Sequence, residues 1–194
     1  PNPVNSASVS ITVIPLVLPF VSIDADANTV CNGTPVTVSV DDYNNAGSAP
    51  LYQWLVNGLP VGGNSQTYTS IFNNTDVVVC QLTSSALCAN PVTVPSNQIT
   101  ITVKPTPVIS GQNTINPSIC GGNDGKIELL GLQPAVSYIV DYMFNGTAAT
   151  RYLAADASGV ITLSGLSAGN YSSIHVTYNG CVSNSVLVNL VDPG

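Results

Sequence analysis

The chain has 194 residues, a net charge of −7 and only 7% charged residues against 44% hydrophobic ones. Its basic residues are Lys104, Lys126 and Arg151. Three scattered cations cannot form the clustered surface that phosphate backbones or anionic membranes require, so nucleic acid and anionic membranes are not expected as partners. No apolar run reaches the roughly 18 residues of a membrane helix, so no membrane insertion is expected.

In chain order, the first signal is Asn2-Pro3-Val4 and then the alternating run Val9-Ser10-Ile11-Thr12-Val13, closed by Pro15. The same run recurs as Ile99-Thr100-Ile101-Thr102-Val103 before Pro105, and again from Ser185 to Val191 before Asp192-Pro193. β-branched residues alternating with small polar ones have the period of a half-buried strand, and proline stops a ladder. Each copy therefore reads as a last strand followed by a stop. The organisation expected is residues 1–15 as the last strand of a preceding domain or a donated strand, a β-sandwich over 16–104, and a second over 105–194. With no initiator Met and no leader, the chain is expected to be a fragment or processed piece of a longer array.

Within the first sandwich, strands are expected at Phe20 to Ile23, Pro35 to Val40, Leu51 to Val56, Thr67 to Phe72 and Asp76 to Thr83, before the closing run. Asp41 to Pro50 reads as a loop, and Asn57-Gly58 as a hairpin turn. Short strands separated by turn residues, without helical period, argue an all-β, two-sheet fold. Trp54 in the third strand with Cys80 in the strand before the closing run, the place of the sixth strand of a standard sandwich, is an immunoglobulin-like placement, although Val40 stands where the partner cysteine would be. In the second sandwich, Asn123-Asp124-Gly125 turns into a strand from Lys126, Tyr138 to Phe144 is a long strand ending in Asn145-Gly146, and Asn179-Gly180-Cys181 turns into the last strand. The fold class expected is tandem immunoglobulin-like β-sandwiches.

Of the five cysteines, Cys31 and Cys88 bracket the first repeat, and Cys120 and Cys181 the second. Thiolate metal sites need close C-x2-C spacing, which is absent, so one disulfide per repeat is expected: Cys31–Cys88 and Cys120–Cys181. Closing about 60 residues would stabilise each domain by roughly 4 kcal/mol in the chain-entropy model. Cys80 alternates with Val78 and Leu82 and is expected to be a buried free thiol. One argument opposes the Cys31–Cys88 pair. The second and sixth strands of a standard sandwich run the same way, which leaves these cysteines roughly 20–25 Å apart and Cys80 as the alternative partner of Cys31.

The motifs VCNGTPVTVSV, YQWLVNG, DVVVCQLTSSALC and SNQITITV resemble the immunoglobulin- or PKD-like repeats of giant Bacteroidota surface proteins. CGGNDGKIEL, GLSAGNY and YNGC resemble the repeats of the gliding adhesin SprB and its relatives. The resemblance implies an extracellular or cell-surface location, export by the type IX system and a role in adhesive fibres of the gliding-motility kind. It implies neighbouring domains or subunits of the same fibre as partners, with surface glycans or proteins as further ones, and no chemistry of its own.

The residue types that carry chemistry are sparse. His175 is the only histidine, it alternates with Ser173 and Thr177 on the face opposite Ile174 and Val176, and no G-x-S-x-G elbow accompanies it. Asp24-Ala25-Asp26-Ala27-Asn28 begins like a calcium loop, but Thr29 and Pro35 stand where Gly and Glu are needed; Asp41-Asp42 reads likewise as polar chain. Tyr138, Tyr142 and Phe144 share one strand face with Val140 and read as core rather than a sugar platform, as does Trp54. Lys126 and Glu128 lie opposite Ile127 and Leu129, on the solvent side, where no isopeptide would form. No catalytic, cofactor or metal residue is assigned. The function expected is a non-enzymatic structural repeat, a rigid spacer or adhesive module of a large extracellular adhesin or surface filament. The alternative is a carbohydrate- or protein-binding module appended to a secreted enzyme.

Overall fold

The computed structural model describes residues 9–194; the Asn2-Pro3-Val4 stretch of the first closing run lies outside them. Every regular element among the described residues is a β-strand. The chain divides into two compact units between Val103 and Lys104.

The first unit contains β1 (Phe20–Ala25), β2 (Thr29–Cys31), β3 (Pro35–Asn44), β4 (Leu51–Val56), β5 (Leu59–Val61), β6 (Thr67–Ile71), β7 (Val77–Thr83), β8 (Thr93–Pro95) and β9 (Ile99–Thr100), with β10 (Thr102–Lys104) reaching the boundary. One sheet has the order β1-β3-β6; the facing sheet has the order β5-β4-β7-β8, with β9 also on β7; β2 and β10 form a separate ribbon. Alternation decides what lies between the sheets. Val36 and Val38 of β3, Tyr52 and Trp54 of β4, and Val78, Cys80 and Leu82 of β7 point inward and are buried, together with Val21, Ile23, Phe72 and Ile101. Burying each large apolar side chain stabilises the fold by roughly 1.5–3 kcal/mol. Trp54 sits directly across from Cys80 in the β4–β7 register, stacks on Tyr68 and donates its indole N–H to the Ser65 carbonyl at 2.9 Å.

The second unit contains β11 (Gly111–Ile115), β12 (Gly125–Leu130), β13 (Ser137–Phe144), β14 (Thr147–Ala154), β15 (Ile161–Leu166), β16 (Gly169–Tyr178), β17 (Cys181–Val182) and β18 (Val186–Leu190). Its sheets, β11-β12-β15 and β14-β13-β16-β17 with β18 on β16, repeat the order of the first unit. Ile127, Leu129, Tyr138, Val140, Ile161, Leu163, Ile174, Val176, Val188 and Leu190 fill the space between them. The chain is all-β, and both units have the strand order of an immunoglobulin-like sandwich.

The Asn-Gly turns at 57–58, 145–146 and 179–180 have positive φ at both residues, between 46° and 84°, which is the type I′ geometry that matches strand twist. The expected loop at Asp41 starts later than expected. β3 continues to Asn44 because Phe20, Val21 and Ser22 of β1 pair with Asn44, Tyr43 and Asp42, beyond a bulge at Ser22/Ile23. The closing run of the first unit is also interrupted, since Ile101 lies between β9 and β10. There its N–H donates to the Asp76 carbonyl and its own carbonyl accepts the Thr75 N–H.

A repeated device ties the edge of one sheet to the closing strand of the other. The side-chain oxygen of Asn97 accepts the Ile23 N–H at 2.8 Å, and its amide nitrogen donates to the Ile23 carbonyl at 3.0 Å. Asn184 makes the same pair with Ile109, at 2.9 and 3.0 Å. The serine before each asparagine accepts a strand N–H, that of Cys80 for Ser96 and that of Val176 for Ser183. Each serine hydroxyl then donates to the carbonyl of its asparagine at 2.7 Å. A side chain thus stands in for a missing strand neighbour, which satisfies backbone groups that would otherwise be orphaned.

Candidate functional site

Strand order fixes two distinct ends on each unit. In the first unit β1 begins beside the end of β3, and β7 ends beside the start of β4. The chain therefore enters at the end that carries the β7–β8 connection. It leaves at the opposite end, where β10 pairs with β2 and where the connection between β1 and β3 lies. The second unit is built the same way: the turn between β16 and β17 marks its entry end, and the connection between β11 and β12 its exit end.

The entry end of the first unit is the segment 84–92. The Ser84 hydroxyl donates to the Asn45 carbonyl at 2.6 Å, and the Ser85 N–H donates to the Ala46 carbonyl. The incoming chain is held here: the Val17 N–H donates to the Cys88 carbonyl at 3.1 Å, and the Val17 carbonyl accepts the Asn90 N–H at 3.0 Å. Asn45 adds a bond to the Leu18 carbonyl at 2.8 Å. Residues 9–16 belong to no strand. At the exit end of the second unit, Asp192 accepts the Gly121 N–H at 3.1 Å and the Cys120 thiol at 3.8 Å. Asp124 accepts the Ser118 N–H at 2.9 Å, and that hydrogen bonding with Ser118 holds its carboxyl below the ordinary carboxylate range.

The cysteines distribute over these ends in a way that corrects the expected pairing. Cys31 and Cys181 are disulfide-bonded, whereas Cys88 and Cys120 are exposed free thiols and Cys80 is a buried one. The brackets Cys31–Cys88 and Cys120–Cys181 are therefore not closed. The reason is length. Cys31 lies at the exit end and Cys88 at the entry end of a unit whose β3 runs ten residues, or roughly 30 Å at about 3.3 Å per residue. Cys120 and Cys181 are separated likewise along the ten residues of β16. A disulfide needs Cα atoms within about 7 Å. Burial pushes the Cys80 thiol up to about 11, which keeps it neutral and unreactive.

The other candidates are engaged in structural bonds. His175 faces Asp141 across β13 and β16, with its Nε2 3.7 Å from the carboxylate and its Nδ1 2.8 Å from the Ser173 carbonyl. Thr150 donates to the other oxygen of Asp141, so the three form a cross-strand surface group with no hydroxyl on the imidazole. Asp24 and Asp26 accept the N–H groups of Ala25 and Thr37. Among the described residues, no three His, Cys, Asp or Glu side chains converge as a metal site would require. Lys126 is exposed, and Glu128 accepts from the Asn113 amide at 3.0 Å. Tyr138, Val140 and Tyr142 are buried in the second core. An open cleft of about 220 Å³ lies beside Tyr142, Phe144, Arg151 and Tyr171, with the Arg151 guanidinium donating to the Ser164 carbonyl at its rim.

Sequence reasoning missed the Ser-Asn clamp, although Ser96-Asn97 and Ser183-Asn184 stand at the same offset before the two closing runs. That recurrence was the available signal.

No family model and no curated protein matches the chain. Among solved structures, murine CEACAM1b is similar at 13% identity and a TM-score of 0.44, with 88% of this chain and 100% of that one covered. A 1.5-MDa bacterial ice-binding adhesin is similar at 16% identity and a TM-score of 0.39, over 92% of this chain and 66% of that one. The ectodomain of mouse nectin-like molecule 4 is similar at 15% identity and a TM-score of 0.34, over 90% and 65%. At these scores the likenesses assign neither a family nor a ligand.

Proposed function

We propose that the chain is a structural segment of a large extracellular adhesin or surface filament, in which sandwiches of one fold follow one another as rigid spacer or adhesive modules. The observation that carries this reading is the repeat: two units with one strand order, entered at one end and left at the other. A third copy of the closing run supports it. Val9, Ile11 and Val13 are 84%, 83% and 84% exposed, whereas Ile101, the counterpart of Ile11, is fully buried, and Ile99 and Val103, the counterparts of Val9 and Val13, are half-buried. The run at 9–13 thus has the pattern of a strand that closes a further sandwich, in a neighbouring repeat or as a donated strand. Disulfide-bonded Cys31 and Cys181 favour an oxidising, extracellular compartment. The Bacteroidota, gliding-motility and type IX parts of the reading rest on the quoted motifs alone.

Single-molecule stretching tests the proposal. With the disulfide bonding of Cys31 and Cys181 reduced, two separate unfolding events are expected, each releasing roughly 30 nm for about 90 residues at 3.3–3.6 Å each. One event for the whole chain would overturn the modular reading. The second reading, a carbohydrate-binding module, is favoured by the cleft at Tyr142, Phe144 and Arg151. A glycan-array signal abolished by Arg151→Ala would establish it in place of the spacer.

A further inference from the structure

The edge strand of a sheet has outward N–H and C=O groups that can take up a further strand unless the edge is short, bulged or interrupted. Most edges among the described strands are of that kind. β1 is bulged at Ser22/Ile23, β5 and β8 have three residues and contain Pro60 and Pro95, and β17 has two residues. β6, β11 and β18 have five residues each, and β15 has six, with Gly165 at φ 72°. β14 is different. It forms one edge of the sheet β14-β13-β16-β17 and runs eight residues with neither proline nor glycine. It pairs with β13 over its whole length without a register shift.

The phase of the ladder shows what this edge offers. The Ala155 N–H donates to the Val136 carbonyl at 2.9 Å, and bonded pairs alternate along an antiparallel ladder. The odd-numbered residues of β14 are therefore bonded to β13, and the N–H and C=O groups of Ala148, Thr150 and Tyr152 point away from it. Side chains alternate too: Ala149 and Leu153 pack on the second core, whereas Ala148, Thr150 and Tyr152 are exposed. The single charge of the strand, Arg151, does not guard the edge, because its guanidinium is drawn to the Ser164 carbonyl at 2.8 Å.

We propose that β14 is a self-association edge, at which β14 of a second copy of the chain pairs antiparallel across a two-fold axis and joins two sheets into one. Such an edge is its own complement, since each outward N–H of one copy faces an outward C=O of the other. The side chains select the register. An axis through Arg151 would set like charges opposite each other, which is unfavourable, and an axis through Ala149 or Tyr152 shortens the overlap. An axis through Thr150 gives the longest overlap free of that clash and about six backbone bonds. It sets Arg151 opposite Ala149 and brings the Tyr152 ring, 79% exposed, beside the small Ala148 of the other copy. This pairing does not depend on the modular reading.

The probe is the chain with Cys88 and Cys120 blocked by iodoacetamide, followed by sedimentation velocity from micromolar to millimolar concentration. A dimer fraction that rises with concentration is expected, with slowed amide exchange at Ala148, Thr150 and Tyr152. Thr150→Glu sets carboxylates opposite each other at the axis and should stay monomeric, whereas its mixture with Thr150→Lys should form a heterodimer. Because the Thr150 hydroxyl donates to Asp141, the mixture also separates loss of pairing from loss of fold. Tyr152→Pro removes one outward donor from each copy and none from the β13 ladder, and should weaken association by roughly tenfold or more. A chain that stays monomeric throughout, or a dimer that survives Thr150→Glu, would overturn the proposal. So would a dimer lost with Ile11→Lys but not with Thr150→Glu, which would give the edge to the run Val9–Val13. Two unfolding events on stretching from a chain that never dimerises would leave the modular reading standing and remove this one alone.

Discussion

Replacing Asn97 with Ala tests the clamp most directly. The amide bonds both the N–H and the C=O of Ile23, at 2.8 and 3.0 Å, and Ile23 is buried in the first core. Two limits bracket the loss. If both backbone groups were sealed from water, each orphaned group would cost about 1–3 kcal/mol. The Asn97 side chain is itself exposed, however, so water can enter the vacated space. The smaller net value of about 0.5–1.5 kcal/mol per bond then applies. The expected loss is about 2 kcal/mol, a shift of roughly 10 °C in Tm for a domain of this size. Asn97→Asp keeps the acceptor for the Ile23 N–H but turns a carboxylate oxygen toward the Ile23 carbonyl, so it should recover little. Gln98→Ala, at an exposed neighbouring position, is the control. Calorimetry resolves the transition, and Asn184→Ala should repeat the effect in the second unit. A melting point within about 2 °C of the parent for Asn97→Ala would refute the reasoning.

Trp54→Ala removes a fully buried side chain and its bond to Ser65. It should destabilise the first unit by about 3–5 kcal/mol, read as a lost or much lowered first transition in urea. Iodoacetamide should label Cys88 and Cys120 in the native chain, Cys80 only after unfolding, and Cys31 and Cys181 only after reduction, with mass spectrometry as the count. The Cys80 thiol, raised from 9.0 to about 11 by burial, keeps its proton in the folded state over a range where the unfolded chain has lost it. Its contribution is therefore intact below pH 9 and lost as pH rises through about 11. Urea midpoints measured across that window should fall more steeply for the parent than for Cys80→Val, and parallel slopes would count against the buried thiol.

Legibility in the sequence followed locality. The alternation of Val78, Cys80 and Leu82 put those side chains in the core, and each Asn-Gly pair formed a turn, because strand period and turn conformation are set by neighbouring residues. The continuation of β3 through Asp41 and Asp42 was not legible, since it depends on Phe20 and Ser22 arriving from β1. The disulfide expectation failed for a related reason. Equal bracketing in sequence described position along the chain, whereas pairing depends on which end of the sandwich each connection occupies. The clamp left a readable trace in its Ser-Asn recurrence, but the backbone it serves is 74 and 75 residues away in the two units.

The end-to-end separation of the cysteines follows from the topology rather than from any detail of side-chain packing. In each unit the first strand starts at the entry end and the closing strand finishes at the exit end. The connection after the first strand then falls at the exit end, and the connection into the closing strand falls at the entry end. A cysteine on each lies a full strand length from the other, roughly 30 Å for ten residues, and no rotamer change spans that distance. A repeat of this fold with one cysteine on each connection therefore cannot staple itself. Equal bracketing in the linear sequence is therefore no sign of an internal bridge in this topology, because the two connections that carry the cysteines belong to opposite ends of the sandwich.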